Sequence, residues 1–287
     1  MIYVTKVDGR RQPFDRQKIM RTCLRMGATP DIAKKIADKI EQQAYNGIPT
    51  KKIIKLIFSY IRRYKPEFKH MIDLRDAICL LRPKPDFELF VAQLLKAQGF
   101  KVRSNRIVPG KCVEHEIDAI AERPIGSSLT STAQQKEVFY VEVKHHYKPH
   151  TYTGLDVFLE ARATFEDLID GYKVNKHKIP FTGAIVICNT KLSEHAKRYA
   201  KCRGVKGIAW NTPTDHGLER MIEEQRLYPI TLLRGLEPAE QAKLGDAGIV
   251  ILKQIAELSE EELNRQTKIP KKRVRELREK SIEILER

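Results

Sequence analysis

At 287 residues, with 41% hydrophobic and 31% charged side chains, the chain is long enough for two or three domains with real cores, since domains run to roughly 100–200 residues. Its 15 Gly and 14 Pro exclude collagen-like and low-complexity chains. The formal net charge of +16 is uneven: residues 1–84 hold 20 Lys and Arg against 8 Asp and Glu, residues 85–230 hold 21 against 18, and residues 231–287 hold 12 against 11. A basic first third attracts polyanions such as nucleotides, nucleic acid or an acidic membrane surface, although a solvated basic surface has the same composition. No apolar run approaches the roughly 18 residues of a membrane helix, and Met1 to Arg11 has no apolar signal core, which predicts a cytoplasmic protein with no membrane partner. Cys23, Cys79, Cys112, Cys188 and Cys202 are odd in number and never form CxxC, against a disulfide framework or a zinc ribbon.

In chain order, residues 2–15 read as a hairpin turning at Asp8-Gly9. Asp15 caps a helix through Met26, and Thr29-Pro30 opens another with Ile32, Ile36, Ala37 and Ile40 on one face. Gly47-Ile48-Pro49 stops that helix, and Thr50 caps the next, with Ile53, Ile54, Ile57 and Ile61 at helical spacing. A further helix is expected over 67–81, and Arg82-Pro83-Lys84-Pro85 reads as a boundary. From Asp86 helices and strands alternate: a helix to Gln98 stopped by Gly99, strands at 101–104, 116–121, 138–144, 183–188 and 207–210, and helices over 153–172 and 193–202. Gly126 to Thr132 reads as a flexible hairpin tip. After Pro229 come short helices at 232–236, 238–247, 251–255, 259–267 and 271–285, the fourth opened by a capping box at Ser259 to Glu262.

The segments Glu116-Ile117-Asp118-Ala119-Ile120-Ala121 and Val141-Glu142-Val143-Lys144 carry the chemistry. Alternate strand residues share a face, so Glu142 and Lys144 project together while Val141 and Val143 enter the opposite core, and Asp118 joins them from a neighbouring strand. Two carboxylates and an ammonium among apolar residues suit metal-assisted phosphodiester hydrolysis. Asp118 and Glu142 hold Mg²⁺ through hard oxygens, Lys144 orients the attacking water, and Glu88 completes the site directly or through a water. The competing explanation is an ordinary salt bridge among Asp118, Glu142 and Lys144 on a non-catalytic sheet. His115, His145 and His146 are also candidates for phosphate or metal contact, but His145 and His146 point to opposite faces, and His145 is assigned to the core.

These residues resemble the PD-(D/E)xK nuclease superfamily and its Mrr-like restriction endonuclease branch. The resemblance runs over 86–212, through Phe87 to Leu95, Gly99 to Val102, the two segments above, and Ala184 to Ser193 with Ala196 to Ala200. Many members of that branch carry Gln before the xK or two residues after the Lys; here Glu142 and His146 stand there, and His146 substitutes as a polar DNA contact. Val4 to Arg10 with Pro13 to Ile19, continued through Gly47-Ile48-Pro49-Thr50, resembles the ATP-cone domain of ribonucleotide reductases. That resemblance implies that Lys6, Lys18 and Thr50 contact nucleotide phosphates and that Gln12 and Asp15 lie near base or ribose. With no P-loop or Rossmann fingerprint, ATP or dATP is expected to be sensed rather than hydrolysed. Residues 232–284 resemble a helix-hairpin-helix pair, which implies a sequence-independent DNA grip at Gly248, with Lys268 where a second hairpin glycine is usual and Lys271, Lys272 and Arg273 opening a basic run.

The expected fold is multidomain α/β: a helical ATP-cone with a small hairpin (1–83), a restriction-endonuclease-like mixed-sheet α/β core (84–229) and a helix-hairpin-helix module (230–287). The expected function is a Mg²⁺-dependent DNA endonuclease regulated by ATP or dATP. A nucleotide-responsive DNA-binding regulator with a silent nuclease-like domain and a structure-specific repair nuclease are the alternatives, and a homo-oligomer is left open.

Overall fold

The computed structural model describes residues 2–6, 9–26, 28–64, 70–125 and 136–286. The chain forms two compact units, one of residues 1–72 with 233–235 and 279–287, the other of 73–232 with 236–278.

In the first unit, β1 (Tyr3–Thr5) is the centre of a three-stranded sheet, antiparallel to β2 (Arg11–Pro13) and parallel to β3 (Ile48–Pro49). Both prolines fall on edge strands, where a missing N–H costs no ladder bond. Asp15 caps α1 (Arg16–Arg25) by accepting from Gln17 and Lys18 N–H, and Thr29 caps α2 (Pro30–Gln43) by accepting from Ile32 N–H. Ala33, Ile36, Ala37 and Ile40 of α2 are fully buried, and Ile53, Ile57 and Ile61 of α3 (Thr50–Ile61) join them in the core. Thr50 is not the cap expected of it. Pro49 stands at the cap position with no side-chain bond, and Thr50 is the first helical residue, its Oγ1 donating to Thr5 O. The expected turn at Asp8 and the first residues of the helix expected over 67–81 lie outside the described residues. That helix begins only at Leu74, where Asp73 caps α4 (Leu74–Leu80) through Arg75 and Asp76 N–H.

In the second unit, a kinked turn over Pro83–Phe87 leads into α5 (Glu88–Ala97). Gly99 at φ +83 closes α5, with Gly99 N–H on Lys96 O and Phe100 N–H on Leu95 O, the paired bonds of a left-handed helix terminus. Strands β4 (Lys101–Pro109), β5 (Glu114–Pro124) and β6 (Lys136–Lys144) form an antiparallel meander. The expected tip at 126–132 lies outside the described residues. After a short β7 (Tyr152–Thr153), α6 (Leu155–Lys173) crosses to β8 (Gly183–Cys188), parallel to β6. Then β9 (Lys191–Leu192) pairs with β7, and α7 (Glu194–Arg203) crosses to β10 (Lys206–Ile208). The sheet order is β10-β8-β6-β5-β4. Every residue of β8 is buried, as a central parallel strand covered on both faces requires. Ile120, Val138, Tyr140 and Val186 pack with Phe158, Ala161 and Phe165 of α6 on one face.

α8 (Leu218–Gln225), absent from the sequence expectations, buries Leu218, Met221 and Ile222 at helical spacing. The C-terminal helices α9 (Pro238–Asp246), α10 (Leu252–Glu257), α11 (Glu260–Thr267) and α12 (Lys271–Leu285) follow the expected spans, and Ser259 and Glu262 form the capping box. Residues 236–278 belong to the same unit as the sheet rather than standing apart. Thr231 Oγ1 donates to Ala77 O at 2.7 Å and Gln241 Nε2 to Leu80 O at 2.8 Å. Arg82 binds the fully buried Asp86 through two nitrogens and Asp246 through one of them at 2.9 Å.

Candidate active site

Asp118 sits where the ladder around β5 is interrupted. On the β4 side the register runs Ser104↔Ala119 and then Arg106↔Ile117, skipping Asn105, whose φ is +49. On the β6 side it stops at Ala119↔Val141, one pair short of Asp118 and Glu142. The Asp118 carboxylate fills the gap by accepting Val143 N–H at 2.7 Å. A side chain has taken the place of a ladder carbonyl, which fixes that carboxylate beside the end of β6.

Glu142 and Lys144 lie on that end: Val141 is fully buried and Lys144 is exposed, while Val143, expected in the core beside Val141, is only half-buried like Glu142. Tyr140, on the same face, donates its hydroxyl to Glu142 Oε2. Burial raises the Glu142 carboxyl above its ordinary range. The Tyr140 bond opposes that shift, the Asp118 charge adds to it, Lys144 opposes it, and Glu160 adds to it. Burial also raises Asp118, opposed by Val143 N–H, Lys84 and a hydrogen bond from Glu88. Glu88, 6% exposed at the start of α5, is raised by burial and then by the Asp118 charge, with the Lys84 ammonium opposing. Glu88 and Asp118 meet at the Lys84 ammonium, and Glu142 and Lys144 lie at the adjoining end of β6.

Sequence reasoning missed Lys84 and Glu116. The Lys84 ammonium lies 3.3 Å from Glu88 Oε1, 2.9 Å from Glu116 Oε1 and 3.8 Å from Asp118 Oδ1. Lys84 has extended backbone between two prolines, so its approach to Glu88 four residues on is set by the kinked turn and carries no local sequence signal. Among the described residues, no three His, Cys, Asp or Glu side chains form a metal cage. Magnesium needs none, because it binds through one or two carboxylates and keeps several waters. The donors are all hard oxygens, and the Lys84 ammonium already stands among them as a cation, so the residues fit a divalent ion.

The histidines take internal roles. His146, expected to contact DNA, instead has its Nε2 3.0 Å from Thr153 Oγ1, and its backbone N–H and C=O are both held by the Asn189 carboxamide at 2.8 Å. Burial lowers its pKa further. His145 is half-buried, edge-on to Phe87 and with its Nε2 3.3 Å from Ile78 O. His115 bonds Asp167 Oδ2 at 2.8 Å; that carboxylate also accepts Cys112 and Val113 N–H and so ties the β4–β5 turn to α6.

In the first unit, Gln12, Asp15 and Lys18 line one open concavity. Lys18 Nζ is 3.4 Å from Gln12 Oε1 and 3.8 Å from Asp15 Oδ2. Lys6 directly follows Thr5 and Thr50 directly follows its partner Pro49, at the end of the β1–β3 pair where α3 begins. With no side-chain cap, the α3 N–H groups there suit an anion.

The C-terminal residues fit DNA less well than expected. Gly248 has the left-handed φ of +76, but the adjacent Val250 and Ile251 N–H groups donate to Gln254 Oε1 at 2.8 and 3.1 Å, so the amides a phosphate would use are taken. Arg273 is held by Glu240 at 2.7 and 3.0 Å and by Glu276 at 2.9 Å, which removes it as a phosphate contact. Lys271, 3.7 Å from Glu261, and Lys272 are exposed.

Comparison with known proteins agrees with this arrangement. Residues 2–76 match the ATP cone domain, 83–210 the Mrr-type restriction endonuclease catalytic domain, and 228–285 the C-terminal domain of AF1548-like proteins. An uncharacterized protein of Archaeoglobus fulgidus is 38% identical over 187 residues, covering 65% of this chain and 95% of the relative. A second uncharacterized protein of the same organism is 50% identical over 42 residues, 15% of this chain and 89% of its own length. A crystal structure of AF1548, described as a protein of unknown function, superposes with a TM-score of 0.56 at 35% identity, covering 69% of this chain and 96% of that one. The chain belongs to the AF1548-like family, with an ATP cone ahead of its restriction-endonuclease-like domain.

Proposed function

We propose that this protein is a Mg²⁺-dependent DNA endonuclease whose ATP cone senses ATP or dATP. The observation that supports it most is Asp118 interrupting the ladder beside Glu142, with Glu88 sharing the Lys84 ammonium with Asp118 and Lys144 two residues along β6. Burying several carboxylates side by side is costly unless a cation offsets them. Asp118 and Glu142 would hold the metal. When bound, the ion would polarise the scissile phosphate and make a bound water more acidic. Lys144, exposed at the strand end, would orient the attacking water and offset charge growing on the phosphoryl oxygens. Glu88, buried behind Asp118, would hold a proton there or bond a water.

In the cone, Lys6, Lys18 and Thr50 would take phosphates, with Gln12 and Asp15 toward base or ribose. Lys271 and Lys272 are the remaining candidates for backbone contact with DNA. The test is plasmid nicking in Mg²⁺ by wild type, Asp118→Ala and Lys144→Ala. Wild type is expected to nick, and each variant to lose on the order of 100-fold or more. Equal, absent nicking in all three would leave the silent nuclease-like regulator as the better description. Branched against linear substrates distinguish a structure-specific nuclease.

A further inference from the structure

We propose that Lys84 is a built-in counter-cation of this site: its ammonium occupies the carboxylate cluster when no metal is bound, and it must withdraw when a divalent ion enters. The proposal rests on the metal-binding reading above. Glu88 and Asp118 are 6% and 12% exposed, whereas Lys84 is 60% exposed. The acids are therefore fixed within the fold, and the cation reaches them from solvent on a flexible four-carbon stem. Two carboxylates that converge on one point in a largely buried site repel each other unless a cation stands between them. Lys84 supplies the cation at 3.3 Å from one and 3.8 Å from the other, anchored by Glu116 at 2.9 Å.

A divalent ion on Asp118 would lie within a few ångströms of that ammonium, where like charges repel strongly in a partly dry site. Docked Lys84 and bound metal are then mutually exclusive, and the lysine sets a threshold for metal uptake. Its loss should tighten metal binding rather than weaken it. An orienting lysine, by contrast, would weaken binding when removed.

The experiment is titration of the full chain with Mn²⁺ alone, followed by the loss of the free-ion EPR signal, for wild type, Lys84→Met, Lys84→Arg and Asp118→Ala. Lys84→Met is expected to bind about tenfold tighter than wild type, Lys84→Arg to resemble wild type, and Asp118→Ala to lose binding. Unchanged or weaker binding by Lys84→Met, with Asp118→Ala still deficient, overturns the counter-cation and leaves the metal site standing. No binding by wild type, or undiminished binding by Asp118→Ala, overturns the metal site itself and the role of Lys84 with it. Should Lys84→Met fail to fold by circular dichroism, Lys84→Gln takes its place at this exposed position and must show the same tightening.

Discussion

Asp118 illustrates how a single side chain can interrupt a sheet for a purpose. Its neighbour across the gap, Asn105, has positive φ, a conformation that asparagine tolerates better than most residues because its short polar side chain bonds locally. The Asp118 carboxyl is raised chiefly by burial. An acid raised in the folded state favours folding while protonated, and that contribution is lost as pH climbs through the folded pKa. Asp118→Asn, which keeps an acceptor for Val143 N–H, should therefore raise Tm at neutral pH by about 2–4 °C while removing nicking activity. The gain should shrink toward acid pH, where wild-type Asp118 becomes protonated. A melting series over pH checks it, and a lower Tm for the variant at neutral pH contradicts the sign. The Asp118, Glu142 and Lys144 set was legible because strand alternation is a local rule. Lys84 and Glu116 were not, because their approach depends on how the kinked turn before α5 meets β5.

The elements flanking the sheet show how the C-terminal helices support the site. A Cβ on Gly245 of α9 would come within 2.0 Å of Asp86 Oδ1 and 2.5 Å of Arg82 Nη2. Only glycine lets α9 approach the pair of half-exposed Arg82 and fully buried Asp86, which sits just ahead of Glu88. Gly245→Ala should cost about 3 kcal/mol by displacing one partner of that pair, read as a lower Tm. Lys84 and Glu88 lie on either side of Asp86, so weaker Mn²⁺ binding should accompany the loss. The helix expected at 232–236 is absent and the chain makes a single tight turn at Ile230–Leu232, whereas the spans of α9 to α12 and the capping box of Ser259 with Glu262 followed from local signals. The DNA grip at Gly248 did not. A left-handed glycine is a local property, but whether nearby N–H groups are free depended on Gln254 folding back onto them.

Across the whole molecule, charge and fold point to separate tasks for separate segments. The basic excess sits in the first 84 residues, which hold the concavity at Gln12 to Lys18 and the open start of α3. ATP or dATP at 100 times its Kd should stabilise the cone by about 2.7 kcal/mol, seen as an upward Tm shift that Lys18→Ala reduces; no shift at saturating nucleotide counts against nucleotide binding. Among the described residues, no helix is long and apolar enough to cross a membrane. From sequence alone came the three segment types, the helix periodicities, most caps and the Asp118, Glu142 and Lys144 motif. Each rests on interactions within a few residues or on the fixed alternation of a strand. Only the tertiary structure decided that Lys84 meets the buried acids, that His146 and Arg273 turn to internal partners, and that α9 packs against the turn leading to the site. Those outcomes depend on contacts between residues far apart in the chain, and on burial, which sets whether a charged group must find a partner.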